Sequence, residues 1–158
     1  MNNRVFISTP ISGFATQNGY LRYRKKVLAL IKYLRTNGYD VCSEAENIND
    51  SANYDSPAKS VKDDFSSITN TDYFILLHPA RMQTSSLIEF GYACAKNKKI
   101  LAVGRKIDFP YLVIGCDEVN SNTKIVEIDE LDACVFPRIL TTLREFPCLS
   151  GEEQHVSL

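Results

Sequence analysis

The sequence predicts an α/β domain built on a doubly wound parallel sheet of about five strands, with helices on both faces. Three observations carry this. Short apolar runs recur at Arg4-Val-Phe-Ile-Ser8, Tyr73-Phe-Ile-Leu-Leu77 and Ile100-Leu-Ala-Val103. The second is continuous enough for a central strand covered on both sides. Between the runs, apolar residues recur at helical spacing, and this alternation of strand with helix favours parallel crossovers.

Taken in order, the first strand ends in Thr9-Pro10-Ile11-Ser12-Gly13-Phe14, where Pro10 and Gly13 break regular structure. Tyr20, Val27, Leu30, Ile31 and Leu34 then define a helix over about 20–37, stopped by Gly38, and residues 39–42 form a second strand. Residues 43–56 are rich in Asn, Asp, Glu and Ser without apolar periodicity, as in a surface loop; a lid and an ordinary excursion are both open. Ser56-Pro57 is an N-cap followed by proline at the first helical position, and Val61, Phe65 and Ile68 form the stripe of a helix to about residue 70. On that helix Asp64 falls about 60° from the stripe and Asp63 on the solvated side. Residues 111–115 fit either a strand or a helical turn, 124–128 a fifth strand, and 129–146 a last helix. The expected domain is 1–147, with 148–158 a frayed tail.

Composition narrows the function classes. With 18 Lys+Arg against 19 Asp+Glu, the formal charge of −1 gives no basic field for nucleic acid or a membrane surface, so a small-molecule partner is expected. The five cysteines are scattered without a C-x-x-C pair, which suggests neither a disulfide framework nor a metal site. Met1-Asn-Asn-Arg-Val runs straight into a strand with no apolar leader, and no run is long enough to span a bilayer, so a cytoplasmic protein without a cofactor is expected.

The chemistry concentrates at residues 82–99. They sit between two strands as a crossover helix, which puts Glu89 in the first turn beside the carboxyl end of a parallel strand, where open α/β sheets bind ligands. Two readings of Glu89 are open. It is a candidate nucleophile, or it closes a capping box in Ser86-x-x-Glu89 by bonding back to the Ser86 amide. His78 is delivered to the same edge, as a ligand contact or a structural hydrogen-bonder. Arg22, Arg24, Lys25 and Lys26 offer either a phosphate-binding edge or a solvated helix face.

Three blocks, Val5-Phe-Ile-Ser-Thr-Pro-Ile-Ser-Gly13, Asp64-x-x-x-Ile68-x-x-x-Asp72 and Glu89-Phe-Gly-Tyr-Ala-x-Ala95-x-x-Lys98-Lys-Ile100, resemble the nucleoside 2-deoxyribosyltransferase family and its nucleotide N-glycosidase relatives. The resemblance implies a flavodoxin-like layout, Glu89 as the nucleophile at the anomeric carbon and Asp64 as the acid facing the departing base. It also implies a sugar pocket lined by Ser8, Thr9, Gly13, Phe14, Gln83, Ser85 and Ser86, with His78 nearby. A nucleoside or nucleotide substrate and a homo-oligomer follow from the same likeness. The chain departs from the family pattern at Ser85 and Leu87, where glycines are common, and at Gln83; Leu87 would crowd an approaching ribose or phosphate. Toll/interleukin-1 receptor-like NAD-cleaving domains share the layout and the helix-borne glutamate. A nucleotide-binding sensor without turnover is the reading from outside enzymology.

Overall fold

A computed structural model describes residues 3–50 and 55–147. The expected tail at 148–158, and residues 51–54 of the polar loop, lie outside the described residues. The elements run β1 (Arg4–Ser8), α1 (Gln17–Thr36), β2 (Asp40–Cys42), α2 (Pro57–Thr69), β3 (Tyr73–His78), α3 (Ser86–Ala95), β4 (Lys99–Gly104), α4 (Tyr111–Val119), β5 (Thr123–Glu127) and α5 (Phe136–Arg144). All neighbouring strands are parallel, in the order β2-β1-β3-β4-β5. This is the doubly wound, flavodoxin-like arrangement.

The period of two along each strand deals its side chains onto two cores. Val5 and Ile7, Ile75 and Leu77, and Leu101 and Val103 face α1 and α5. Phe6, Phe74 and Leu76, with Ile100 and Ala102, face α2, α3 and α4. Apolar burial on both faces of β3 and β4 explains why those segments read as unbroken apolar runs. Winding reverses between β1 and β3, so their carboxyl ends open onto a crevice.

Local signals set most boundaries. Thr16 caps α1 through its side chain, which accepts from the Gly19 amide, and Gly38 follows the helix at φ +87. Ser56 and Pro57 start α2 as expected. Two expectations need correction, on the start of the last helix and on the stripe of α2, and one open alternative is decided. The last helix begins at Phe136 rather than near residue 129, because Pro137 lacks an amide proton and is tolerated only in a first turn. Residues 111–115 belong to a helix, α4, which starts after Pro110. Val61 is 53% exposed, so the buried side of α2 is carried by Ile68, with Phe65 half-buried.

Gly104 is required at the end of β4, since a Cβ there would lie 2.3 Å from the His78 carbonyl oxygen. Among the described residues no helix is long and apolar enough to cross a membrane.

Candidate active site

At the crevice between β1 and β3, Ser8 ends β1 and is buried, and Thr9 follows it. Across the opening stands α3. The Ser8 hydroxyl donates to Glu89 Oε2 at 2.6 Å, a bond between residues 81 positions apart. This settles the capping alternative. Ser85 is the N-cap of α3 and makes no side-chain capping bond, the Ser86 amide donates to Thr84 Oγ1 at 3.3 Å, and the Glu89 carboxylate turns to β1 instead. A short charge-assisted bond aimed across the crevice is a tertiary arrangement, not a helix cap.

Burial pushes the Glu89 carboxyl up to about 7; the Ser8 hydrogen bond opposes this, and the charges of Asp64 and Glu44 add to it. Asp64, half-buried on α2, lines the same cleft and is pushed up to about 6, by burial first and then by Glu44 and Asp63. Both carboxyl groups thus titrate near neutrality, and the Asp64 charge acts on Glu89 across the cleft. The helices are fixed to each other just behind these groups. Phe65, next to Asp64, stacks on Tyr92 with ring centroids 4.0 Å apart and planes 9° apart, and the Tyr92 hydroxyl meets Thr69 Oγ1 at 3.0 Å.

Of the residues expected at the site, Ser8, Thr9, Asp64, Ser85 and Glu89 line the cleft. The other five do not. Gly13, at φ +96, lies where the β1 loop meets the loop before α3, since a Cβ there would meet the Gln83 carbonyl and Met82. Phe14 turns to Tyr20 and Tyr23, with centroids at 5.8 and 5.4 Å. Gln83 is exposed, and Ser86 is buried with its hydroxyl 3.1 Å from Thr84 Oγ1. His78 belongs to β3 itself, pairs with Gly104 and stacks on Phe109 in a separate cavity, where burial lowers its basicity. Leu87 packs against the α2–α4 core and does not crowd the opening.

The outer wall was not anticipated as such. Ser43, Glu44 and Asp55 from the polar loop, and Ser60 and Asp63 from α2, join the lining, with Ile11, Ser12 and Ile48 beside them. The available signal was the acid-rich composition of residues 43–56; what places it is tertiary. Ser43 Oγ donates to the Ile7 carbonyl at 2.8 Å, and Arg24 donates to the Ala45 and Glu46 carbonyls at 2.6 and 3.0 Å. Among the described residues, no three His, Cys, Asp or Glu side chains are grouped so as to hold a metal ion.

No protein-family model matches the chain, and comparison with curated proteins gives no match. Solved structures do resemble it. A CMP N-glycosidase of Clostridium botulinum, BcmB, is 25% identical with a TM-score of 0.64, covering 87% of this chain and 98% of that one. The solution structure of BlsM is 20% identical with a TM-score of 0.75, covering 91% of each chain. A conserved protein from Enterococcus faecalis V583 is 16% identical with a TM-score of 0.57, covering 90% of this chain and 99% of that one. At these identities the second and third likenesses concern the fold alone.

Proposed function

We propose that this chain cleaves, or transfers at, the N-glycosidic bond of a (deoxy)nucleoside or nucleotide, with Glu89 as the nucleophile and Asp64 as the acid. The observation that carries the reading is the Glu89 carboxylate held by Ser8 at the crevice, with Asp64 in the same cleft. The similarity to a CMP N-glycosidase supports the reaction class.

In the first step a Glu89 oxygen bonds to the anomeric carbon as the carbon–nitrogen bond breaks. The electron pair of that bond stays on the base nitrogen, which is protonated by Asp64. Positive charge develops on the sugar ring in between, and the ionised Glu89 stabilises it. Water then attacks the glycosyl ester to give the free sugar, or a second base attacks to give an exchanged nucleoside; Asp64 recovers its proton from that nucleophile. The productive form has Glu89 ionised and Asp64 protonated; it is the less populated of the two one-proton forms, since Glu89 holds its proton more tightly, at about 7 against about 6.

The same reading includes a homo-oligomer. It is supported by the apolar side chains that α3 and α4 leave in solvent, Ile88, Tyr111, Leu112 and Val119.

The test is chromatography of wild type and Glu89→Gln incubated with deoxynucleosides plus a free acceptor base, with deoxynucleoside monophosphates, and with NAD. Free base or exchanged nucleoside should appear with wild type and fall by roughly 1,000-fold or more in the variant. Wild-type rates in Glu89→Gln would remove Glu89 as the nucleophile. Nicotinamide release would move the protein to NAD cleavage.

A further inference from the structure

We infer that this cleft selects an unphosphorylated nucleoside over the corresponding 5'-monophosphate, because five carboxyl groups line it and no cation does among the described residues. This selectivity presupposes the glycosidic reading of the same cleft and adds what the substrate lacks. Glu44, Asp55, Asp63, Asp64 and Glu89 all line the opening, and no Lys, Arg or His among the described residues does. They act on one another: the Glu44 charge raises both Asp64 and Glu89, which places it within electrostatic reach of the reacting groups.

Two of the nearby bases are engaged elsewhere. Arg24 is tied to the Ala45 and Glu46 carbonyls, and Lys26 pairs with Glu130. Lys59 sits outside the lining, 2.6 Å from Asp55 and 3.7 Å from Asp63, so it offsets one charge of the rim and leaves the carboxylates in excess. The amino end of α3 attracts anions in general, but Glu89 occupies its first turn.

A phosphate dianion entering such a cleft meets like charge at close range, which is a device for rejecting the wrong ligand. Ionised carboxylates only accept hydrogen bonds. They match the hydroxyls of a sugar, including a free 5'-hydroxyl, and the exocyclic amine of a base. Ser12, Ser43 and Ser60 supply groups that both donate and accept. The CMP named for the structural neighbour carries a phosphate, so this chain and that enzyme would differ in the end of the substrate they read.

The test compares each deoxynucleoside with its 5'-monophosphate at low ionic strength. It takes kcat/KM on wild type and, independently of turnover, calorimetric affinity for Glu89→Gln. The nucleoside should lead by about 100-fold in both. The gap should narrow about tenfold in Glu44→Gln/Asp55→Asn and on raising the salt, since screening weakens repulsion of the phosphate. Asp55→Asn alone, at an exposed position, gives the same direction if the double variant does not fold. A monophosphate turned over or bound as well as its nucleoside overturns the selectivity and leaves the glycosidic reading standing. Selective nucleoside binding without turnover supports the selectivity and overturns the glycosidic reading. Absence of both binding and turnover overturns both.

Discussion

Glu89→Gln should make the protein more stable above neutral pH while removing its activity. The buried carboxyl titrates at about 7 against an ordinary 4.5. Between those values the folded chain keeps a proton that the unfolded chain has released, so folding stability declines as pH rises through that window. Below about 4.5 the group is neutral in both states and costs nothing. Above about 7 it is ionised in both, and the folded state bears the full cost of a charge held in a poorly solvated place. At about 1.36 kcal/mol per pH unit, the displacement corresponds to roughly 3 kcal/mol.

Glutamine still accepts from Ser8, but brings an amide donor that needs a partner, a loss of about 1 kcal/mol. The net gain expected at pH 8 is about 2 kcal/mol, or a Tm higher by roughly 4–8 °C for a chain of this size. At pH 4.5 the gain should vanish or reverse. Urea or thermal unfolding of both proteins from pH 4.5 to 8.5 decides it. A variant no more stable than wild type at pH 8, or a gain that persists unchanged at pH 4.5, would show that Glu89 is not held against its preference for water.

Three further outcomes are expected. Ser8→Ala removes the bond that restrains Glu89, so the carboxyl should rise by about one more pH unit and kcat/KM below pH 7 should fall about tenfold; an unmoved acidic limb would deny Ser8 a positioning role. Asp64→Asn should lower kcat/KM by roughly 100-fold or more through loss of proton donation, least for substrates with the best leaving bases; equal losses across leaving groups would assign Asp64 to binding instead. Gly104→Ala should cost roughly 2–4 kcal/mol in urea unfolding, because the added methyl meets the His78 carbonyl of the paired strand and neither backbone is free to move; an unchanged midpoint would contradict that packing.

β1, β3 and β4 were legible because each is an apolar run with a polar or turn-forming boundary, and their parallel pairing followed from the alternation of strand with helix; the strand order is information the structure adds. Ser8 and Glu89 could be brought together on paper because strand ends and helix starts converge at a reversal of winding, whereas Asp64 was reached from its angle to the apolar stripe of its helix and from the family resemblance. The last helix was over-extended because an apolar stripe says nothing of where a chain turns, whereas Pro137 does. His78 was misplaced by one structural step. Pairing with β4 continues through it to Gly104, and the alternation of the strand turns its ring to Phe109. Glu44 and Asp55 had no periodicity to mark them. The position of Glu44 comes from Arg24 and Ser43 bonding the backbone of distant segments, information that local sequence does not carry; Asp55 stands just before the N-cap of α2 and pairs with Lys59.

The stacked rings of Phe65 and Tyr92 bear on how such a site is adjusted. They are the spacer between the two helices that carry the proposed acid and nucleophile, and they lie behind the chemistry rather than in it. Narrowing either ring draws the helices together, and widening one drives them apart, while both carboxyl groups stay on the same residues. Under the proposed chemistry, the room left for a leaving base, or for the water or second base that replaces it, is thus a dimension the chain can vary from the rear of the proposed site. Divergence between a hydrolytic and a base-exchanging protein on this scaffold then needs no change at either reacting residue.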